Sequence, residues 1–303
     1  MAANTFQNDT RIARTALGTL DLELVLGSTV WRNAEAEFTG GSGYTVNVRV
    51  PAKLSATDYK DGDGDAFAEH GTALTKAAIT EGVVAVTLSS MPYHLAPLTD
   101  EDLTLNIDAF ESRVLVPQAV AVAEKVESIL ATAMDAATYA TTLNMDETDP
   151  WATIVAARKA LNAAKVPASD RFLAVGTDIE ADILSDPDLL RRVDASGTDS
   201  TLREGMIGRL GGFAVVPTAA LPADTAIAYH RSAFVLACRA PVVPQGAAAG
   251  AAIAQGGYGL RWIRDYDPDY AQDRSFVSTF CGTAVVTDSS SLVRAVKITS
   301  SGS

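Results

Sequence analysis

The sequence predicts an α+β fold in which a projecting two-stranded finger precedes a long helix, an α/β unit and a set of C-terminal strands. Three observations predict it. Two strand-like apolar runs are separated by about thirty mostly polar residues. A helical apolar period then extends from Asp108 to about Ala137. From Asp149 onward, helix-like and strand-like segments alternate before the pattern becomes all-β.

Residues 1–43 are predicted to form an arm and a short helix. The first ten residues have neither a basic nor an apolar segment, so no signal peptide is expected. Apolar residues then recur near helical spacing from Ala13 to Val25, and the helix is expected to end before the glycine-rich segment at 40–43.

Residues 44–90, called the finger below, are predicted to form an extended β-hairpin loop. The run from Tyr44 to Val50 alternates strictly and Pro51 ends it. Its expected partner is the run from Gly82 to Leu88. Because a connection of this length is uncommon inside a compact domain, we expect the hairpin to project.

A long helix is predicted within residues 91–149. Apolar residues from Phe110 to Ala133 follow steps of three and four. Pro117 lies inside this pattern, so the helix either kinks there or restarts with proline in its first turn. A continuous helix of ~28 residues would span about 42 Å, which is typical of a spine rather than of a small domain.

The α/β unit begins with a helix that Asp149 is expected to cap and Pro150 to open. The pattern of residues 177–180 predicts a second helix with a capping box, in which Thr177 is the N-cap. Strands are predicted at Arg171–Gly176, Phe213–Val216, Thr225–His230 and Ala233–Arg239.

The C-terminal region is predicted to contain a long antiparallel hairpin that turns at residues 267–269, followed by a last strand from Leu292 to Ile298. Three aromatic residues of the hairpin, Trp262, Tyr266 and Phe276, are expected to pack beneath the long helix as core.

Composition excludes some classes of protein. With 303 residues and 48% hydrophobic residues, the chain can bury a core and is not disordered throughout. A net charge of −13 argues against nucleic-acid binding through a basic face. The two cysteines, Cys238 and Cys281, are expected to be buried thiols in a reducing compartment, although their spacing leaves a disulfide open. No apolar run is long enough for a membrane span.

No motif predicts catalysis, a cofactor or a metal. His70, His94 and His230 are isolated in the sequence. The acidic run from Asp61 to Asp65 resembles the start of a calcium loop, but the positions that need glycine and glutamate are occupied otherwise. Phosphate-binding glycine loops and a serine nucleophile elbow are also missing from the sequence. An enzyme is therefore not expected.

Two C-terminal segments carry a family resemblance. These segments are ALPADTAIAYHRSAFVLACRAPVVP from Ala220 to Pro244, and LRWIRDYDP from Leu260 to Pro268 followed by QDRS from Gln272 to Ser275. They are similar to segments of the major capsid proteins of tailed bacteriophages, in particular those of actinobacterial siphophages. The order of elements resembles this family along essentially the whole chain.

The resemblance implies an N-terminal arm over residues 1–43, the finger over 44–90, and a peripheral domain with the spine helix over 91–149. It further implies an axial domain over 150–256, while residues 257–303 supply strands that return to the peripheral domain. The implied function is self-assembly, through hexamers and pentamers, into the icosahedral shell around a double-stranded DNA genome.

The implied partners are further copies of the chain, a separate scaffolding protein and a portal, with neither sequence-specific DNA binding nor a membrane. The implied location is the virion capsid, after synthesis in the bacterial cytoplasm. In the finger, Tyr59, Lys60 and Phe67 are the candidate residues for contacts between subunits. Some relatives cross-link covalently through a finger lysine, but the sequence identifies no partner for one here. Another virion component such as a tail-tube protein, and a non-viral shell of the same fold, stay open as alternatives.

Overall fold

A computed structural model gives the fold of the chain. It describes residues 8–32, 45–50, 56, 82–99, 111–146, 148–186, 208–270, 272–288 and 291–300. The α-helices within these ranges are α1 (Asn8–Glu23), α2 (Val25–Thr29), α3 (Val116–Asp135), α4 (Pro150–Ala163) and α5 (Thr177–Ser185).

The strands of the described residues form four sheets. The strands are β1 (Thr45–Val50), β2 (Gly82–Thr87), β3 (Tyr93–Thr99), β4 (Thr142–Asn144), β5 (Arg171–Val175), β6 (Arg209–Leu210), β7 (Phe213–Pro217), β8 (Thr225–His230), β9 (Phe234–Arg239), β10 (Ala249–Gln255), β11 (Tyr258–Asp267), β12 (Gln272–Ser278), β13 (Phe280–Val285) and β14 (Ala295–Thr299). Their orders are β1–β2, β10–β11–β12–β3, β13–β9 and β4–β14–β8–β5–β7–β6.

The α-helical part of the spine begins at Val116, with Pro117 in its first turn, which is one of the two arrangements that the sequence predicts. A π-helical turn at Glu111–Leu115 precedes α3, and Pro117 lies in the first turn of α3. Proline fits there because the first N–H groups of a helix have no partner inside it. The 20 residues of α3 therefore span about 30 Å, which is shorter than the continuous helix considered from the sequence.

The four-stranded sheet β10–β11–β12–β3 has one face covered by helices. Both α1 and α3 contact it, and Trp262 and Val277 are buried on this inner face. The Trp262 indole donates to Ser275 Oγ at 3.1 Å, and that hydroxyl donates to Gln118 Oε1 on α3 at 2.7 Å. A buried hydrogen-bonded chain thus fixes the sheet to the spine helix.

The six-stranded sheet β4–β14–β8–β5–β7–β6 is covered on both faces. Side chains from one face, including Leu173 and Ile298, pack with α4 and α5. Those from the other face, including Ile227 and Tyr229, pack with the C-terminal half of α3. This sheet therefore lies in the interior of the subunit.

Of the two helix N-caps predicted in the α/β unit, one is confirmed and the other is wrong. Asp149 caps α4 as predicted, since its carboxylate accepts the Ala152 N–H at 3.0 Å. The capping box predicted at Thr177 is wrong, because α5 already includes Thr177 and its N-cap is Gly176. Gly176 packs against the backbone of residues 222–225, and a Cβ there would lie 2.2 Å from Pro222 O.

The C-terminal strands are divided between sheets differently from the expected boundary at residue 256. β10 and β11 form one hairpin, and its turn has positive φ at Gly256 and Gly257. Such φ values are typical of the tight turns that connect paired strands. β13 pairs with β9, and β14 pairs with β8 and β4, so the last strand joins the α/β sheet.

Of the three hairpin aromatics expected in the core, Trp262 is confirmed. The expectation is wrong for Tyr266, which is 51% exposed at the turn end of β11. Phe276 lies on the face opposite Trp262 because side chains alternate along paired strands. It is partly buried there against Tyr93, with ring centroids 5.6 Å apart.

Candidate assembly surfaces

The histidines of the described residues have local structural partners. Gln118 donates to His94 Nδ1 at 3.3 Å, and His230 Nδ1 accepts the Ser232 N–H at 3.2 Å. His70 lies outside the described residues. Within the described part of the chain, no group of three or more His, Cys, Asp or Glu residues could hold a metal ion. Likewise, none of the described helices is long and apolar enough to cross a membrane.

A cavity of about 410 Å³ lies beside His230, Ser232 and Arg294. Arg294 pairs with Asp288 at 2.7 Å and donates to Ser232 Oγ at 3.0 Å. Burial lowers the pKa of His230, so its neutral form is favoured and accepts the Ser232 N–H. These bonds connect the turn before β9 to the start of β14, which is a structural role.

The base of the finger is an antiparallel ribbon with its predicted pairing. Thr45 lies opposite Thr87, and their hydroxyls are 2.9 Å apart. At its lower end, β2 contacts β13, and Val86 and Leu88 are buried in a small cluster with residues of β9. The finger is therefore anchored on the β9–β13 ribbon. Its candidate contact residues Tyr59, Lys60 and Phe67 lie outside the described residues.

The outer face of the four-stranded sheet carries an apolar groove of about 340 Å³, called the outer groove below. The residues that line it are Leu95, Pro244, Gly246, Ala247, Ile263, Asp265, Arg274 and Phe276. Cross-strand pairing places Leu95, Phe276 and Ile263 in one row across three strands. Tyr93 and Leu95, on the edge strand β3, are 62% and 46% exposed. The outer groove is thus an apolar surface beside β3, the edge strand of this sheet among the described residues.

Ion pairs surround the polar end of the outer groove. Arg274 pairs with Asp265 at 2.7 Å and with Asp267 at 2.9 Å. The hydrogen bond with Asp265 raises the pKa of Arg274, so its charge is retained. A charged rim around an apolar centre is the usual anatomy of a protein–protein interface.

The N-terminal helices are anchored on the spine helix by a buried carboxylate. Glu127 of α3 accepts the Gly27 N–H of α2 at 3.2 Å. Burial raises the pKa of Glu127, and hydrogen bonds from Gly27 and its neighbours in α2 oppose that rise. Further along, the hydroxyls of Thr29 and Tyr229 hydrogen bond and join α2 to the six-stranded sheet. These contacts fix α2 against both the spine helix and the six-stranded sheet.

Sequence reasoning missed the outer groove. It assigned Phe276 to the core because a large aromatic residue in a hairpin is usually buried. The available signal was that apolar residues occur on both faces of β11 and β12, with Trp262 and Val277 on one side and Ile263 and Phe276 on the other. A sheet exposed to water on one face would alternate apolar with polar residues.

The arrangement defines a class of protein. A spine helix on an antiparallel sheet, a finger anchored on its own ribbon and an adjoining α/β unit form the subunit fold of tailed-phage capsid shells. A family model described as phage capsid protein matches residues 95–295, which are 201 of the 303 residues. The chain therefore belongs to the phage capsid protein family.

Solved structures share this fold. A chain of Mycobacterium phage Che8 is 21% identical with a TM-score of 0.64, covering 92% of this chain and 92% of that chain. A capsid chain of cyanophage P-SCSP1u is 15% identical with a TM-score of 0.61, covering 86% and 85%. The SrpI encapsulin of Synechococcus elongatus PCC 7942 is 14% identical with a TM-score of 0.51, covering 99% and 91%. The search of curated proteins found no match.

Proposed function

We propose that this phage capsid protein assembles, as hexamers and pentamers, into the icosahedral shell that encloses the double-stranded DNA of a tailed phage. The observation that carries the proposal is the outer groove, where apolar side chains and a sheet edge are exposed beside the anchored finger. Exposed apolar patches rimmed by charges are typical of interaction sites. In a shell, a neighbouring subunit covers this surface.

The finger provides that neighbour contact. Residues 44–90 extend from one subunit onto the next, with Tyr59, Lys60 and Phe67 in the interface. Aromatic residues contribute strongly to such interfaces once they are buried. Residues 91–149 together with β10, β11 and β12 form the peripheral domain, and the α/β unit from residue 150, which β14 rejoins, forms the axial domain at the centre of each hexamer or pentamer.

The remaining features of the proposal follow from charge and context. A net charge of −13 for the chain disfavours tight binding of the genome, so DNA is enclosed without sequence recognition. The chain performs no reaction and needs no cofactor. It is made in the host cytoplasm, assembles with a separate scaffolding protein and a portal, and ends in the virion.

Negative-stain electron microscopy and light scattering test the proposal, both on the chain expressed alone and on the chain co-expressed with other proteins of its phage. The expected result is closed shells hundreds of ångströms across. Tubes would instead support a tail-tube protein, and shells that form around a protein cargo would support a non-viral shell. A monomer or dimer under both conditions would contradict assembly altogether.

A finger deletion tests the contact assignment. Removal of residues 58–69 is expected to leave a folded subunit that assembles poorly, because the candidate contact residues are lost. Shells of normal yield would contradict the assignment. Unfolding of the isolated subunit would mean that the segment belongs to its own core.

The outer groove is tested by Leu95→Ser. Loss of a buried leucine contact costs about 1.5–3 kcal/mol, so the subunit concentration needed for assembly is expected to rise roughly tenfold or more. The matched control is Val155→Ser on α4, where the valine is 42% exposed. Equal effects of the two substitutions on assembly would exclude the outer groove as a contact.

A further inference from the structure

The two cysteines of the chain face each other across one ribbon. Although 42 residues separate them in sequence, Cys281 of β13 is the direct cross-strand partner of Cys238 in β9. Both are reduced thiols in this structure. They are 2% and 0% exposed and belong to the same core cluster.

The backbone bonds show which kind of antiparallel pair this is. Cys281 donates to Ser90 O at 2.9 Å and accepts from Ser90 N at 3.1 Å. Both of its backbone groups therefore point to the edge of β13 that faces away from β9. In β9, Phe234 O accepts from Trp31 N and Leu236 N donates to Trp31 O, on the edge that faces away from β13. Because backbone groups point to the same edge at every second residue of a strand, those of Cys238 also point away from β13.

The pair is consequently a non-hydrogen-bonded one. In such pairs the Cα atoms are about 4.5 Å apart and the side chains approach most closely. A disulfide needs a Cα separation of about 4.4–6.8 Å and Cβ atoms about 3.5–4.5 Å apart. The register therefore fits a disulfide with little movement of the backbone.

The ribbon lies at a junction of the fold. β9 continues from the six-stranded sheet through the turn at Arg231–Ala233, and β13 continues from the four-stranded sheet through Thr279. Ser90, between the finger and β3, bonds to the same cysteine. A covalent bond here joins the two large sheets next to the base of the finger.

We propose that Cys238 and Cys281 form a reversible intramolecular disulfide that fixes this junction once the protein leaves a reducing cytoplasm. The oxidant is a small-molecule disulfide. One cysteine thiolate attacks it and releases one thiol, and the second cysteine then attacks the mixed disulfide and releases another. Two electrons and two protons pass from the cysteine pair to the oxidant. The time of oxidation, after the protein leaves the cytoplasm, rests on the proposed shell function, whereas formation of the disulfide itself does not.

Burial sets the kinetics of this step. Since both thiols are buried, the reagent reaches them only when the ribbon opens locally. Oxidation is therefore expected to be slow in the folded subunit and to accelerate in denaturant well below the unfolding midpoint.

The test treats the purified full chain with oxidised glutathione under those conditions, followed by removal of the reagent. The expected result is a mass decrease of about 2 Da, no thiol titratable after unfolding, and reversal by dithiothreitol. A gain of about 5 °C in Tm over the reduced protein is also expected. Retention of both thiols, stable glutathione adducts or covalent dimers would overturn the proposal, as would equal Tm values of the two forms.

Cys238→Ala and Cys281→Ala are matched controls. Each variant is expected to keep its single thiol or take up one glutathione, with no mass decrease of about 2 Da and no gain in Tm. An increase in the Tm of either variant after the same treatment would show that the stabilisation does not come from the disulfide. Because the mass and Tm are measured on subunits, failure of shell assembly would leave this result unaffected.

Discussion

The two large sheets of the subunit differ in how much of their surface the chain itself covers. The six-stranded sheet is packed on both faces, with α4 and α5 on one side and the spine helix on the other. Among the described residues, helices pack on the inner face of the four-stranded sheet, while its outer face carries the outer groove. The subunit therefore completes one sheet by itself and leaves the other with an exposed apolar surface.

This difference separates residues that stabilise the fold from residues that are available for assembly. On a sheet covered on both faces, neighbouring residues of a strand both contribute to the free energy of unfolding. On the four-stranded sheet, the inner-face residues Trp262 and Val277 do so fully, whereas the outer face is covered unevenly, because Ile263 is 6% exposed and Leu95 is 46% exposed. Exposed apolar side chains such as Leu95 therefore contribute little to the isolated subunit.

The largest effect is expected from Trp262→Ala on the inner face. Loss of a buried aromatic side chain costs about 3–5 kcal/mol in unfolding free energy. The exposed Leu95, on the outer face of the same sheet, should cost less than about 1 kcal/mol when replaced by alanine. Urea unfolding of both variants measures the difference, and similar losses would show that the two faces are equally covered.

The six-stranded sheet should lack this asymmetry. Leu173 and Ile227 lie on adjacent strands but pack on opposite faces, and each is at most 1% exposed. Leu173→Ala and Ile227→Ala are each expected to cost about 2–5 kcal/mol. A loss below about 1 kcal/mol for either variant in urea unfolding would mean that this sheet, too, has an open face.

A smaller, pH-dependent effect is expected at the contact that holds α2 against the spine helix. Burial raises the pKa of Glu127 above its usual value of 4.5. A carboxyl whose pKa is raised by folding adds stability that is full below the unfolded pKa and is lost as pH rises through the folded pKa. Compared with Glu127→Gln, the wild type should therefore gain stability as pH falls from 7 towards 4.5.

Thermal unfolding across this pH range measures that difference. Glu124→Gln is the matched control because Glu124 lies on the exposed side of the same helix. A difference between wild type and Glu127→Gln that does not change with pH, or that decreases as pH falls, would contradict the assignment.

Much of the fold could be predicted from local patterns. The finger strands, the capped helix at Asp149 and the strands of the α/β unit follow from alternation, proline and capping chemistry within a few residues. The helix start at Thr177 could not be predicted, because its N-cap Gly176 packs against the distant residues 222–225, which no local pattern specifies. The pairing of β14 with β8 depends on contacts between distant segments that no local pattern specifies.

The candidate surfaces were harder to predict than the fold. Ile263 and Phe276 have the composition of core residues, and only the position of α1 and α3 on the opposite face determines that they line a groove. The opposition of Cys238 and Cys281 depends on a register set by the partners of both strands. The sequence therefore shows that these apolar residues and cysteines are present, but it does not predict that they lie next to one another in the fold.

The most direct test of the account is hydroxyl-radical footprinting of the subunit before and after assembly. If a neighbouring subunit covers the outer groove, labelling of Tyr93, Leu95 and Phe276 should fall several-fold in the assembled particle, while that of Val155 stays the same. Equal labelling of the groove residues in subunit and particle would contradict the claim that the four-stranded sheet is completed by assembly.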